Sequence, residues 1–230
     1  MALPLRKPGS LDAARRTLGQ VFTPRPIADW MAAYVCAHRP AHLLDPAVGD
    51  GVFIDAVADF CRRGKQSFPR MDAFEIDAPT WRRFLARPNG AAQCRCEDFV
   101  LADIPRRYDA IIANPPYVRH HSIEKSSRVF EAMDRLLGEK IPRTMNLYGL
   151  FLLRIASLLS RRGMAAVITP AEWLNADFGV SLKRHLLSEN LLDGLVHFDH
   201  AASVFDGVLT TASIVLLRRD RLPDDPVHFN

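Results

Sequence analysis

The apolar and polar residues of this chain alternate with two different periods. Short apolar runs typical of buried strands occur at 41–45, 71–77, 91–96, 108–113, 164–169, 192–198 and 210–219. Apolar positions at helical spacing occur at 52–62, 79–87, 146–163 and 178–189. Strands that alternate with helices predict an α/β fold, in which a mostly parallel sheet carries helices on both faces.

The helix predicted at 146–163 is more clearly patterned than the segment before it. Asn146 suits the N-cap, Arg161 and Arg162 suit the negative C-terminal end, and Gly163 predicts the end of the helix. Residues 118–145 show no clean period and predict a long charged loop. A loop of that length in a compact domain is usually functional or mobile.

The residues that follow each strand are the candidates for function, because such sheets bind ligands beyond the carboxyl ends of their strands. The first strand runs into DPAVGDGVF, in which Gly49 and Gly51 allow a tight turn and a close approach to a ligand. A plain tight turn accounts for the glycines alone. Asp45 and Asp50 suit a cationic or zwitterionic ligand such as S-adenosylmethionine better than an anionic phosphate.

The second and third strands also end in acidic residues. Glu75 ends the second strand at the position that typically binds ribose hydroxyls, and Asp77 is expected to cap the next helix. After the third strand, Asp98 and Phe99 suit an adenine, with a carboxylate for its amine and a ring for its face. A polar turn with one core phenylalanine would have the same sequence.

The fourth strand ends in Asn114-Pro115-Pro116-Tyr117. The prolines hold the backbone rigid, so that the Asn114 amide oxygen and the Pro115 carbonyl form a fixed pair of acceptors. Such a pair matches the two hydrogens of an exocyclic amine and favours the pyramidal nitrogen that attacks a methyl group. The Tyr117 ring would stack on the base.

Composition narrows the class of protein. The chain is 48% hydrophobic and 24% charged with a net charge of +4, which is typical of a soluble globular protein and compatible with a polyanionic partner. No apolar run approaches the roughly 20 residues that span a bilayer, so we expect no membrane association. The four cysteines lack metal or redox spacing, which predicts small buried residues in a reducing cytoplasm and no bound metal.

These segments together resemble the γ-class (TaqI-like, Eco57I-like) adenine-N6 DNA methyltransferases. The matching segments occur in the family's order over about 17–219: GQVFTP, DPAVGDGVF, FEID, EDF, NPPY, NLYGLFLLRIASLL, GMAAVITPAEWL and VFDGVLTTASIVLLRR. The resemblance implies a class I S-adenosylmethionine-dependent, Rossmann-like fold whose doubly wound, seven-stranded sheet ends in an antiparallel strand. It also implies methyl transfer from S-adenosylmethionine to the N6 amine of a flipped adenine in DNA, within a restriction-modification or related system.

The resemblance also implies a role for each matching residue. Asn114 and Pro115 hold the target amine, while Tyr117 and Phe205 contact the base. The cofactor residues that it implies are Thr23, Asp45, Pro46, Ala47, Gly49, Gly51, Glu75, Ile76, Asp98, Phe99 and Asn114.

The domain organisation follows from the same resemblance. We expect a basic arm at 1–16, the catalytic domain at 17–220, and at 221–230 the start of a linker. The family's target-recognition domain would follow that linker, so the DNA sequence is expected to be read by a further domain or by another subunit.

Three alternative functions stay open at this point. An NPPY edge also suits methyltransferases that act on protein glutamine or on RNA adenine. A catalytically inactive subunit would keep the same fold. An NAD(P)-dependent oxidoreductase would account for the glycine turn and Glu75, but it would leave NPPY and the paired acids Asp45 and Asp50 unexplained.

Overall fold

The computed structural model describes residues 23–87, 92–118, 126–198 and 211–229. The α-helices of these residues are α1 Arg25–Cys36, α2 Val52–Arg63, α3 Ala78–Leu85, α4 Ser126–Leu137, α5 Leu147–Leu158 and α6 Asp177–Ser188, and a 3₁₀ helix covers Ala171–Leu174. The strands are β1 His42–Asp45, β2 Arg70–Phe74, β3 Ala92–Arg95, β4 Tyr108–Ala113, β5 Leu159–Pro170, β6 Leu192–His197, β7 Ala212–Arg218 and β8 His228–Phe229.

All of these strands form one sheet in the order β3-β2-β1-β4-β5-β7-β6-β8. The pairs from β3 through β5 are parallel, whereas β7 runs antiparallel to both β5 and β6. The predicted α/β class, with a mostly parallel sheet and a late antiparallel strand, is therefore confirmed. The sheet has eight strands in the described residues rather than seven, because β8 adds to β6. Two residues are too few for a hydrophobic period to reveal such a strand.

Hydrophobic cores cover both faces of the sheet, as a doubly wound fold requires. Adjacent residues of one strand point to opposite faces, so Ile111 of β4 packs into the core beneath α4, α5 and α6, while Ile112 packs beneath α1, α2 and α3. Both isoleucines are fully buried. The central strands are thus shielded on both sides, and polar ligands can reach them only at the edges where the strands end.

The predicted helix at 146–163 is wrong in its last five residues. The helix ends at Leu158, and Leu159 takes an extended backbone conformation that pairs with Tyr108 of β4. The ladder resumes at Ala110 and Met164, so residues 160–163 form a bulge between the two pairings. Strand pairing to β4 therefore overrides helical continuation at this point, and Arg161 and Arg162 lie in the bulge instead of the last helical turn.

The described residues contain two α-helices that the sequence pattern did not predict. Residues 126–137, expected to lie in a charged loop, form α4, whose Val129, Phe130 and Met133 are buried at helical spacing. Helix α1 precedes the first strand, with a proline in its first turn. Within the described ranges, no helix has both the length and the apolar character needed to cross a membrane.

Candidate active site

The predicted residues Asp45, Glu75 and Asn114 come together at one edge of the sheet. They lie at or just beyond the carboxyl ends of β1, β2 and β4, which are neighbours in the sheet and run parallel. Parallel neighbours end on the same side, so strand direction alone brings these side chains to a common edge.

The turn after β1 is held by backbone hydrogen bonds, one to β2 and one within the turn. The Val48 N–H donates to the Phe74 carbonyl at 2.9 Å, and the Gly51 N–H donates to the Val48 carbonyl at 2.8 Å. Gly49 and Gly51 have φ values of +51° and +82°, in the left-handed region that glycine adopts without strain. A Cβ at Gly49 would meet no atom within 4 Å, so the turn leaves open space beside its backbone.

Glu75 fastens this turn to the end of β2. Its Oε2 accepts the Gly49 N–H at 3.1 Å and its Oε1 accepts the Asp77 N–H at 2.9 Å. Burial raises the pKa of Glu75 above its usual value, although the two backbone donors oppose that effect. Each carboxylate oxygen carries two lone pairs, so Glu75 can still accept hydrogen bonds from ligand hydroxyls.

Asp45 is the most strongly perturbed acid of the site. It is completely buried, and its Oδ1 accepts the Ala47 N–H at 3.1 Å. Burial is the main reason that the pKa of Asp45 rises to about 8, with a smaller contribution from the negative charge of Glu75. Its Oδ2 is buried without a hydrogen-bond partner among the described residues. A buried carboxylate oxygen of this kind is an acceptor that a cationic ligand group would satisfy.

The residues predicted to contact adenine differ in their surroundings. Asp98 accepts the Val100 N–H at 2.9 Å. The Phe99 ring is 2% exposed and packs against Phe74 and Phe151, with centroids 5.6 and 5.0 Å away. Ile76 is 63% exposed beside Glu75 and offers the more accessible apolar surface.

The predicted helix cap after β2 is confirmed. The Asp77 carboxylate accepts from the Thr80 N–H at 2.9 Å and from the Thr80 hydroxyl at 2.7 Å, at the start of α3. These hydrogen bonds lower the pKa of Asp77, and the bond from the Thr80 hydroxyl makes the largest contribution.

Asn114 is anchored by a residue far away in the chain. Its Nδ2 donates to the Thr23 Oγ1 at 2.9 Å, across 91 residues of sequence. Thr23 is 3% exposed, and Pro115 is also buried. In this arrangement the amide nitrogen donates and the Thr23 hydroxyl accepts, which holds the Nδ2 end of the Asn114 amide towards Thr23.

Tyr117 is held between the strand end and α5. Its ring meets the Tyr148 ring edge-on, with 6.4 Å between the centroids. Just beyond it, the Val118 carbonyl accepts the Leu147 N–H at 3.0 Å. Burial raises the pKa of Tyr117, so the phenol stays neutral at physiological pH.

The sequence interpretation missed Tyr148 and Glu172 as members of this site. Glu172 follows β5, and its Oε1 accepts from the Asn146 Nδ2 at 2.9 Å and from the Tyr148 hydroxyl at 3.1 Å. Asn146 occupies the N-cap position, but its side chain makes no capping hydrogen bond. The rule that function follows strand ends would have selected Glu172, whereas Tyr148 looks like one more core residue of an apolar helix.

Some predicted residues lie outside the described ranges. Phe205, the predicted second contact to the base, is one of them, as are residues 19–22 of the GQVFTP segment. Among the residues that are described, no group of three or more His, Cys, Asp or Glu side chains has the geometry to hold a metal ion.

The sheet order, with its antiparallel β7, is that of the class I S-adenosylmethionine-dependent methyltransferases. Two solved structures share this fold with a TM-score of 0.74 each. One is a type I restriction-modification methyltransferase subunit from Streptococcus thermophilus, at 19% identity over 92% of this chain and 47% of that one. The other is a putative class I S-adenosylmethionine-dependent methyltransferase from Listeria monocytogenes, at 14% identity over 90% of this chain and 64% of that one.

The chain belongs to the Eco57I restriction-modification methylase family, whose family model matches residues 63–205. It is 33% identical to the type II methyltransferase M.AccI of Acinetobacter calcoaceticus, over 94% of this chain and 39% of that protein. It is 29% identical to the type II methyltransferase M.XamI of Xanthomonas campestris pv. amaranthicola, over 87% of this chain and 39% of that protein. The chain thus spans about two fifths of the length of these relatives.

Proposed function

We propose that this protein transfers a methyl group from S-adenosylmethionine to the N6 amine of an adenine that is flipped out of DNA. The observation that carries the proposal is the position of Asn114. Its amide is oriented by Thr23 at the sheet edge that it shares with the acidic turn at Asp45 and Glu75. The type II methyltransferases among the relatives support DNA as the substrate.

The residues at the ends of β1 and β2 fit the cofactor. The buried Oδ2 of Asp45 would accept from a positively charged amine, and Glu75 would accept from ribose hydroxyls while it keeps the turn closed. The exposed Ile76 would lie against the adenine ring, with Asp98 at its edge. Bound S-adenosylmethionine supplies an activated methyl group at this edge.

The residues at the end of β4 prepare the target amine. The Asn114 amide oxygen and the Pro115 carbonyl accept one hydrogen each, which draws the amine towards a pyramidal geometry and frees its lone pair for attack. This is stabilisation of a developing charge by acceptors that are already in place. The neutral Tyr117 ring offers a face on which the base stacks, typically worth about 1–3 kcal/mol. A contact from Phe205 stays a prediction.

Reaching the amine requires base flipping, because the N6 group of a paired adenine cannot enter a protein pocket inside the duplex. Selection of the DNA sequence by a further target-recognition domain or subunit also stays a prediction, as does the division into segments 1–16, 17–220 and 221–230. The last of these segments contributes β8 to the sheet through His228 and Phe229.

Transfer of tritiated methyl groups from S-adenosylmethionine to adenine-containing DNA tests the proposal. We expect transfer by the wild-type chain and a loss of at least about 100-fold in Asn114→Ala, the size typical of removing one preorganised hydrogen-bonding group. The matched control is Asn175→Ala, an exposed asparagine after the 3₁₀ helix, which should leave the rate unchanged. Transfer to a protein glutamine or to RNA, with none to DNA, would refute the DNA assignment.

A further inference from the structure

Four arginines line a cavity of about 490 Å³ at the amino ends of β4 and β5. The candidate active site lies at the other end of these strands, beyond their carboxyl ends. Arg107 precedes β4, and Arg161 lies in the bulge of β5. Arg219 and Arg221 follow β7, whose antiparallel direction brings its end to the amino ends of β4 and β5. Three separate basic segments therefore converge because of the sheet topology.

The protein itself holds two of the four arginines. Arg219 donates to the Ala156 carbonyl at 3.0 Å and contacts Glu189 at 3.3 Å. The side chain of Arg221 is 2% exposed and lies 3.4 Å from an oxygen of Asp193. These two guanidinium groups therefore belong to the lining of the cavity and are held in place by contacts within the protein.

The other two arginines have no such partners. Arg107 and Arg161 are exposed, and neither makes an ion pair or a side-chain hydrogen bond with any residue in the described part of the chain. Asp220, the one acid among the described residues of the lining, lies 3.7 Å from Arg218, which offsets its charge. The cavity is therefore positively charged, with two guanidinium groups available to a ligand.

A fifth arginine adds to the positive potential next to this cavity. Arg154 is half-buried and donates to the Ala102 carbonyl at 2.8 Å. Burial, followed by the positive charge of Arg107, lowers the pKa of Arg154. Like charges held this close repel one another, and a bound anion would relieve that repulsion.

We propose that this cavity binds phosphate groups of a nucleic-acid backbone. The planar fork of arginine matches phosphate oxygens in two-point contacts. Besides the four arginines and Asp220, the described residues of the lining are Ser157 and Leu159, and none of these described residues is aromatic. A free nucleotide would find no ring on which to stack its base, whereas a backbone presents phosphates without requiring one.

The phosphate held here is not that of the target nucleotide. Arg107 and Asn114 flank β4 at its two ends, seven residue steps apart, which corresponds to about 23 Å along an extended strand. The cavity is thus a second contact to nucleic acid, remote from the methyl-transfer edge. It goes beyond the proposed function, because it requires neither methyl transfer nor base flipping.

Salt-dependent binding of the full chain to a labelled duplex made only of G·C pairs tests this proposal. Such a duplex contains no adenine, so the result does not depend on adenine methylation. The variant R107Q/R161Q removes the two available arginines. The matched control R162Q/R63Q removes two exposed arginines that lie outside the cavity lining and make no ion pair among the described residues. Both double variants lose the same net charge.

We expect the slope of log Kd against log salt to lose about two units of magnitude in R107Q/R161Q and less than about half a unit in the control. Absence of wild-type binding at low salt, an unchanged slope in R107Q/R161Q, or equal losses in both double variants would overturn the proposal. Titration with ATP and with polyglutamate tests whether the cavity prefers a free nucleotide or an acidic peptide to a nucleic-acid backbone. Binding of either that depends on the cavity, with no change in the DNA slope, would assign the cavity to that anion and overturn the backbone proposal.

Discussion

The cofactor half and the base half of the candidate site are built by different kinds of contact. In the cofactor half, Asp45 and Glu75 accept backbone N–H groups from the turn between them and from Asp77. In the base half, Asn114 and Tyr117 are oriented by the side chains of Thr23 and Tyr148. One half is fastened to its own backbone, and the other to side chains from distant elements.

The difference has consequences for how each half forms and fails. A carboxylate that caps backbone N–H groups is placed as soon as β1, β2 and their turn have formed. The base half requires α5 and the 3₁₀ helix to be docked as well, because Glu172 holds Tyr148 in place. We therefore expect substitutions in one half to leave the binding properties of the other largely intact.

Among substitutions in the cofactor half, the largest effect is expected from Glu75→Ala. Removing the carboxylate leaves two backbone N–H groups without their acceptor and removes the predicted ribose contact, so affinity for S-adenosylmethionine should fall about 100-fold. Isothermal titration calorimetry measures the affinity of each variant for S-adenosylmethionine.

Asp72→Ala is the matched control for Glu75→Ala, because Asp72 lies on the same strand and accepts from the Tyr108 hydroxyl at 2.7 Å. Its affinity for the cofactor should stay near that of the wild type. Tight binding of NAD by the wild-type chain, with none of S-adenosylmethionine, would contradict the cofactor assignment.

The next effect is a pH dependence that depends on Asp45. Its pKa of about 8 lies above the ordinary value of 3.8, so the folded protein binds one more proton than the unfolded chain between those pH values. The free energy of unfolding should therefore fall as pH rises from 4 to 8, by at most about 1.4 kcal/mol per unit. Denaturant titrations at several pH values measure the slope, which Asp45→Asn should reduce by that amount.

Cofactor binding should show the opposite pH trend. A cationic ligand prefers the ionised carboxylate, so affinity for S-adenosylmethionine should rise by up to about tenfold per pH unit as pH approaches 8. The trend should be absent in Asp45→Asn. If the affinity of the wild type does not depend on pH, Asp45 does not contact the positively charged group of the ligand.

A smaller effect is expected from Thr23→Val in the base half. Valine keeps the shape but removes the acceptor of the Asn114 Nδ2, so methyl transfer at saturating cofactor should slow about tenfold. The control Thr169→Val alters a fully buried threonine that bonds to Ser213 at 3.2 Å, and it should not slow the transfer. Equal rates for the two variants would show that Thr23 does not orient the amide.

The smallest effect is expected from Tyr148→Phe. Loss of the hydroxyl removes the hydrogen bond to Glu172 and loosens the contact of the ring with Tyr117. Because the hydroxyl affects the base only through these two rings, transfer should slow about threefold. Tyr108→Phe removes a comparable bond to Asp72 at the opposite end of β4 and serves as the control. A loss of cofactor affinity in Tyr148→Phe, with unchanged turnover, would show that Tyr148 serves the cofactor half and not the base half.

Local sequence predicted elements well where one period dominated. The strand at Tyr108–Ala113 and the helix at Val52–Arg63 are found within a residue of their predicted bounds. Helix α4 was missed although its buried apolar positions recur at helical spacing, because that period is confined to residues 126–137 of a longer charged segment. The prediction for helix α5 extended too far. The sequence is compatible with helix up to Gly163, but strand pairing to Tyr108 competes with helix from Leu159 onwards.

Sequence alone determined the alternation of strands and helices and the placement of Asp45, Glu75 and Asn114 at strand ends. Both follow from local rules, since hydrophobic period selects the element and parallel strands share an edge. Tertiary structure decided what the period cannot express. The Thr23–Asn114 bond, the Glu172–Tyr148 bond and the gathering of Arg107, Arg161 and Arg219 depend on sheet order and strand direction, which bring together residues that are far apart in the chain.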